Sequence, residues 1–273
     1  MYKKVFALLF LLSSFQLLIA QTSLLKNFPE GYTPDEIGRR IAYRFVTEKH
    51  ALHAGKWIGY PETFYWNGSL KYAAAAKDKA LIKLLQARFE HLFTTEKELL
   101  PIKNHVDLNM FGSLPLELYW VTKDERYKEL GLPYADTQWE VPEDAKPSAK
   151  EWAEKGYSWQ TRLWIDDMYM ITIVQTHAYK VTNDSKYIDR AAKEMVMYLD
   201  ELQRPNGLFY HAPDVPFYWG ARKRMDGSRY GRIASLFAQE AQRPSPHHGR
   251  LPDHDEKSEG ISESGRSVES VAR

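Results

Sequence analysis

The sequence predicts an all-α protein built as an array of helical hairpins. Three observations carry that prediction. Apolar residues recur at helical spacing in segment after segment, strand signals are few, and a short pattern of Tyr, Val-Thr, Asp and Tyr returns along the chain. The pattern reads "YWVTKDERYKEL" from Tyr119 and "YKVTNDSKYIDR" from Tyr179, with a weaker copy, "YAAAAKDKAL", at Tyr72. Each copy marks one helix ending and the next beginning on a Thr or Asp cap. Recurring hairpins of this kind imply an α-hairpin array or a toroid.

The elements follow in order. "YTPDEIGRRIAYRFVTEK" has Thr33 to cap, Pro34 at the first helical position, acids in the first turn and bases in the last. "KDKALIKLLQARFEHLF" places Leu81, Leu84, Leu85 and Phe89 on one stripe. "HVDLNMFGSLPLELYWVT", "TRLWIDDMYMITIVQTHAYKVT" and "DSKYIDRAAKEMVMYLDEL" read the same way. The best strand signal is the short "GLFYHA" after Asn206.

Composition narrows the function. The 273 residues carry 37 Lys and Arg against 36 Asp and Glu, a balance that gives no reason to expect a nucleic-acid partner. Cysteine is absent, which removes disulfides, Zn-thiolate sites and a thiol nucleophile. No His, Asp and Glu are spaced as metal ligands, so neither a metal nor a cofactor is expected. The opening "MYKKVFALLFLLSSFQLLIAQ" has two lysines, an apolar run and a small residue at Ala20. That is the layout of a secretory signal peptide over residues 1–20. The mature protein is therefore expected in the periplasm or outside the cell, with no membrane association after cleavage. The sequence carries no signature of an oligomeric state.

Residues able to do chemistry fall in three places. In "LWIDDMYM", Trp164, Ile165, Met168, Met170, Ile171 and Ile173 cover most of a helix, so the sequence predicts burial nearly all round. Asp166 and Asp167 lie there about 100° apart and cannot share one solvated face. A buried carboxyl neutralises by a raised pKa, which is what a general acid needs, unless it is a structural Asp bonded to a backbone amide or an Arg. Asp107 in "HVDLNMFG" shares a helical face with Met110, Phe111 and Leu114. With Asp166 it would make a glycosidase-like carboxyl pair, unless it only caps a helix. In "FYHAPDVPFYW", His211 stands among aromatics suited to stacking on a sugar ring, although a core histidine is the alternative. Trp57, Tyr60 and Trp66 in "KWIGYPETFYW" are of the same kind.

Taken jointly, "KWIGYPETFYWNG", "HVDLNMFGSLPLELY", "LWIDDMYM" and "GLFYHAPDVPFYW" resemble the unsaturated rhamnogalacturonyl and glucuronyl hydrolases of glycoside hydrolase families 105 and 88. Family 105 matches better, through "LWIDD" and "YHAPD". The resemblance spans residues 56–219. It implies an (α/α)6 toroid and a reaction that hydrates the vinyl ether of an unsaturated uronic sugar at the non-reducing end of lyase-generated pectin oligosaccharides. Carried over by motif, Asp166 is the general acid and base, Asp107 the assisting carboxyl, and His211, Trp219 and Tyr60 line the sugar site. Two alternatives use the same residues: another (α/α)6 carbohydrate enzyme, a lyase or ordinary glycosidase, and a non-catalytic sugar-binding helical scaffold.

After Trp219 the chain leaves the family pattern. The family continues with an Arg, then Gly-Asn-Gly-Trp and a further helix, whereas this chain reads "GARKRMDGSRYGRIASLF". Permitted codons for residues 222–228, read one base later, give Gly-Asn-Gly-Trp-Met-Ala, and the Trp is forced because Met225 precedes an Asp codon. The expectation is a single-base frameshift at or just after Trp219. Residues 21–220 would then be the N-terminal part of the hydrolase domain, an incomplete toroid. Residues 221–273 would be a Ser-, Arg- and Glu-rich tail that does not fold natively, with activity impaired.

Overall fold

The computed structural model describes residues 27–218. The segment expected as a signal peptide, Trp219 and the 221–273 tail lie outside the described residues. The described chain is all-α, with short antiparallel strand pairs at two places.

Helix α1 (Pro34–Thr47) starts as its sequence requires. Thr33 accepts from the Glu36 amide at 3.2 Å while Glu36 reaches back to the Thr33 amide at 3.0 Å, a reciprocal capping box. The pair β1 (Leu52–His53) and β2 (Trp57–Ile58) leads into α2 (Tyr60–Ala75) and α3 (Lys79–Glu90). Then come the one-turn α4 (Val106–Asn109), a 3₁₀ turn at Met110–Gly112, α5 (Ser113–Thr122), α6 (Glu125–Asp136) and α7 (Pro147–Glu154). Helices α8 (Ile165–Thr182) and α9 (Ser185–Leu202) precede the hairpin of β3 (Tyr210–Ala212) and β4 (Val215–Tyr218).

The sequence echo is a repeated corner. Helix α5 ends on Lys123 at φ 63°, and Asp124 caps α6 by accepting from Arg126 N at 3.1 Å. Helix α8 ends on Asn183 at φ 58°, and Asp184 caps α9 by accepting from Lys186 N at 3.0 Å. Thr122 and Thr182 each donate back to the carbonyl four residues earlier at 2.7 Å. The weaker copy behaves likewise, with Lys77 at φ 55° and Asp78 accepting from Leu81 N at 3.0 Å. A left-handed residue ends each first helix and an Asp starts the next, so α2–α3, α5–α6 and α8–α9 are successive hairpins.

Helices α2, α5 and α8 lie side by side, each packed on its own hairpin partner. Burial separates the two sets. Helix α8 is buried from Asp167 through Ala178 on nearly every face, whereas α9 buries one stripe, Tyr187, Ala191, Glu194, Tyr198 and Leu202. The main core joins Trp66, Leu70, Leu85, Phe89, Phe111 and Tyr127 between the helices. A smaller cluster of Met168, Met197, Tyr198, Leu202 and Phe209 seats the β3–β4 hairpin beside the start of α8. No helix among the described residues is long and apolar enough to cross a membrane.

Some expectations change. On α3, Leu81, Leu85 and Phe89 are buried, but Leu84 sits at the edge of the stripe and is 43% exposed. Trp66, grouped with the sugar-platform aromatics, is fully buried and donates to the Leu85 carbonyl at 3.3 Å, so it belongs to the core. Trp164 precedes α8 rather than lying in it, and is 44% exposed.

Candidate active site

Three separate segments meet at the N-terminal end of α8: the loop before it with its first turn, the α4 turn, and the β3 strand. The first turn of α8 carries Asp166 and Asp167, at the positive end of the helix dipole where carboxylates are favoured. Their environments differ sharply. Asp167 is 0% exposed, whereas the Asp166 side chain is 37% exposed. The spacing of Asp166 and Asp167 left open which of the two is buried; the structure gives that burial to Asp167. The two positions are a helical step apart, and only Asp167 turns into the interface with α9.

Asp167 is the structural partner of Arg162. Its carboxylate accepts from the Arg162 backbone amide at 3.1 Å, from Nε at 3.1 Å and from Nη2 at 2.5 Å. Tyr198 Oη lies 3.5 Å away. Burial pushes the Asp167 carboxyl up, and the Arg162 bonds and charge pull against that. The short forked contacts make the pair an ion pair in which each partner satisfies the other.

Arg162 also reaches Asp107, donating from Nη2 to Oδ1 at 2.8 Å. The expected apolar setting of Asp107 is therefore corrected. Met110, Phe111 and Leu114 are buried in the main core, whereas the Asp107 side chain keeps part of its surface exposed at the edge of that core. Asp107 instead faces Arg162, with His105 Nδ1 3.7 Å from its other oxygen. His105 is the N-cap here, accepting from the Asp107 amide at 3.3 Å. Burial lowers the His105 pKa, and the Asp107 charge opposes this. Arg162 escaped the sequence reading; the signal available was a lone cation beside the Asp-Asp pair, four residues before Asp166.

His211 on β3 comes to Asp166, with Nε2 3.5 Å from Oδ2. Its ring also lies 5.3 Å from the Trp164 ring, centroid to centroid, and the Arg162 guanidinium sits 4.6 Å over that indole. Tyr60, at the start of α2, joins through a chain of rings. It packs edge-on to Phe64 at 6.4 Å, and Phe64 stacks on Tyr169 of α8 at 4.8 Å. Phe64, Trp164 and Tyr169 are all partly exposed, although each is large and apolar. Burial raises the Tyr169 pKa, so its hydroxyl stays protonated and can donate. Of the residues singled out in sequence, Asp107, Asp166, His211 and Tyr60 are thus gathered around one region, and Trp219 lies outside the described residues. Among the described residues no group of three or more His, Asp or Glu is placed to hold a metal ion.

Carboxylates of unlike exposure, a histidine and partly exposed aromatic faces are what a sugar-processing site is made of. Comparison with known proteins agrees. No curated protein and no solved structure matches the chain. The model of Glycosyl Hydrolase Family 88, however, matches residues 35–227, the greater part of the sequence and all of the site just described. A helical-hairpin body whose carboxylates, histidine and aromatics meet at one helix start is thereby placed in its lineage: the chain belongs to glycosyl hydrolase family 88 and is a glycoside hydrolase.

Proposed function

We propose that this glycoside hydrolase removes the 4,5-unsaturated uronic acid from the non-reducing end of lyase-generated pectin oligosaccharides. The observation that carries the reading is the meeting of Asp166 and His211 at 3.5 Å beside the Trp164 ring, with Asp107 held close by through Arg162. In the proposed reaction the Asp166 carboxyl gives its proton to carbon 4 of the vinyl ether. The carboxylate so formed takes a proton from the water that adds at carbon 5. The resulting hemiketal opens to a ketone and leaves a hemiacetal at the sugar's first carbon, which collapses to an aldehyde and releases the aglycone as an alcohol. Partial exposure suits Asp166 to this cycle, because both the substrate and the adding water must reach its carboxyl. Asp107 assists from across the site. Tyr60, His211 and Trp219 line the sugar, with aromatic faces against its C–H-rich ring. Substrate loss is followed directly, since hydration destroys the ultraviolet absorbance of the conjugated double bond. Saturated oligosaccharides should be left intact; their cleavage with the unsaturated ones untouched would refute the proposal.

The same reading extends to the ends of the chain. Residues 1–20 act as an export signal, and the mature enzyme works in the periplasm or outside the cell. From about residue 220 the sequence is the correct gene read one base out of frame. The family match ends at residue 227, close to that point. The 273-residue chain then has lower activity than its frame-restored counterpart.

A further inference from the structure

Arg162 lies in a loop that is built more tightly than a connector between helices needs. Leu163, between Arg162 and Trp164, has φ 59°, a left-handed backbone that a leucine rarely adopts. Such a conformation persists only where its surroundings impose it. Two buried acids on facing elements do so. Glu194 of α9, with no exposed surface, accepts from Thr161 Oγ1 at 2.5 Å and from the Ser158 amide at 3.2 Å, fixing the loop just before Arg162. Asp167 of α8 grips the Arg162 backbone amide, Nε and Nη2 together. The guanidinium is thus immobilised from behind, and the Nη2 that remains in reach of the site donates to Asp107 Oδ1 at 2.8 Å.

We infer that Arg162 is a positioning residue: clamped by the buried Asp167, its guanidinium fixes where the Asp107 carboxylate lies relative to Asp166. The inference rests on the reading of Asp107 and Asp166 as the acting carboxyls. Its physical basis is that Asp107 lies in the first turn of its helical run with its side chain partly exposed, so core packing does not fix its carboxylate. A planar guanidinium bonded on two sides transmits the rigidity of α8 to Asp107. A point-charge lysine keeps the charge but loses the fork.

The test compares the 273-residue wild type with Arg162→Gln, Arg162→Lys and Asp167→Asn. Carboxyl carbon NMR of labelled aspartate is read at one fixed neutral pH, with the Asp107 resonance assigned through Asp107→Asn. Arg162→Gln should move that resonance. Asp167→Asn, which loosens the grip on the guanidinium, should move it the same way, and Arg162→Lys should restore it in part. Kinetics are taken on this chain and on the frame-restored one. Arg162→Gln should lower kcat on the order of 100-fold with KM little changed, as misplacing a reacting group does. An Asp107 resonance unmoved in Arg162→Gln, or an unchanged kcat, overturns the inference. Should Arg162→Gln lose its circular dichroism, Arg162→Lys and Asp167→Asn make the same comparison. Full turnover in Asp107→Asn and Asp166→Asn would sink the hydrolase roles while the resonance still reports the clamp; their inactivity beside a fully active Arg162→Gln would sink the clamp alone. The NMR comparison needs no turnover and decides the clamp even if neither chain is active.

Discussion

Asp166 Oδ2 and His211 Nε2 stand 3.5 Å apart, one in the first turn of α8 and the other on a short strand beyond α9. The β3–β4 hairpin is held against the start of α8 by Phe209 packing with Met168, Met197 and Leu202. On the proposed mechanism Asp166 carries the proton, so removing it should be far more damaging than removing its neighbour His211. Asp166→Asn is expected to lower kcat by about 10³-fold or more, and His211→Asn by roughly 10–100-fold. Both should leave the helical circular dichroism intact. Rates on an unsaturated uronyl disaccharide check this; wild-type turnover in Asp166→Asn would remove the residue from the mechanism.

Glu194 makes stability depend on pH in an unusual direction. Burial pushes its carboxyl up to about 7, against the pull of the Thr161 and Ser158 bonds. Between the ordinary value of 4.5 and about 7 the folded chain holds a proton that the unfolded chain has released. Stability from this group is thus greatest at or below the ordinary value and falls as pH rises through that window, by about 3 kcal/mol in all. Glu194→Gln mimics the protonated form, so its urea midpoint should fall less than that of wild type between pH 4.5 and 7. Parallel pH profiles for the two proteins would count against the assignment.

Glu117 works the other way. Burial alone would raise it, but His177 Nε2 at 2.9 Å and Lys180 at 3.4 Å hold its carboxyl down at about 2. Its contribution is fully present above the ordinary value of 4.5 and is lost as pH falls toward 2, again about 3 kcal/mol. Glu117→Gln should unfold more readily than wild type at neutral pH, because it takes the carboxylate away from the buried His177, and should show a shallower acid transition. Urea melts at a series of acidic pH values would reveal whether that slope persists.

The crossing of α5 and α6 depends on Gly112. A Cβ there would meet Tyr134 Cβ at 2.3 Å and the Gly131 carbonyl oxygen at 3.2 Å. Neither neighbour is a flexible side-chain tip, so Gly112→Ala must push the helices apart. A loss of about 1–3 kcal/mol is expected, lowering the melting temperature by several degrees. Gly68→Ala on α2, whose Cβ would meet nothing within 4 Å, is the control and should be neutral or slightly stabilising.

The reading-frame proposal has its own check. Genomic resequencing across the Trp219 codon separates a sequence error, which shows one base fewer or more than the present frame assumes, from a real lesion, which leaves the frame as written; in either case the restored chain should hydrolyse the unsaturated substrate faster. Tail peptides from residues 221–273 in native protein, together with an intact genomic frame, would refute a sequence error.

The sequence by itself determined the helices, their corners and the residue types of the site. Those features are local: Thr33 with Glu36, Asp124 after Lys123 and Asp184 after Asn183 act over one to three residues, so the order of residues states them outright. It also brought Asp107, Asp166, His211 and Tyr60 forward as candidates by type and spacing. It could not say which of two adjacent aspartates is buried, because that depends on where α9 packs, and α9 presents Tyr198 to Asp167 and not to Asp166. Nor could it pair Arg162 with Asp107, which lies 55 residues away. Burial and long-range ion pairs are set by how helices meet, and only the tertiary structure fixed those meetings: Asp167 as the buried anchor, Arg162 as the bridge, and Asp166 left half in water.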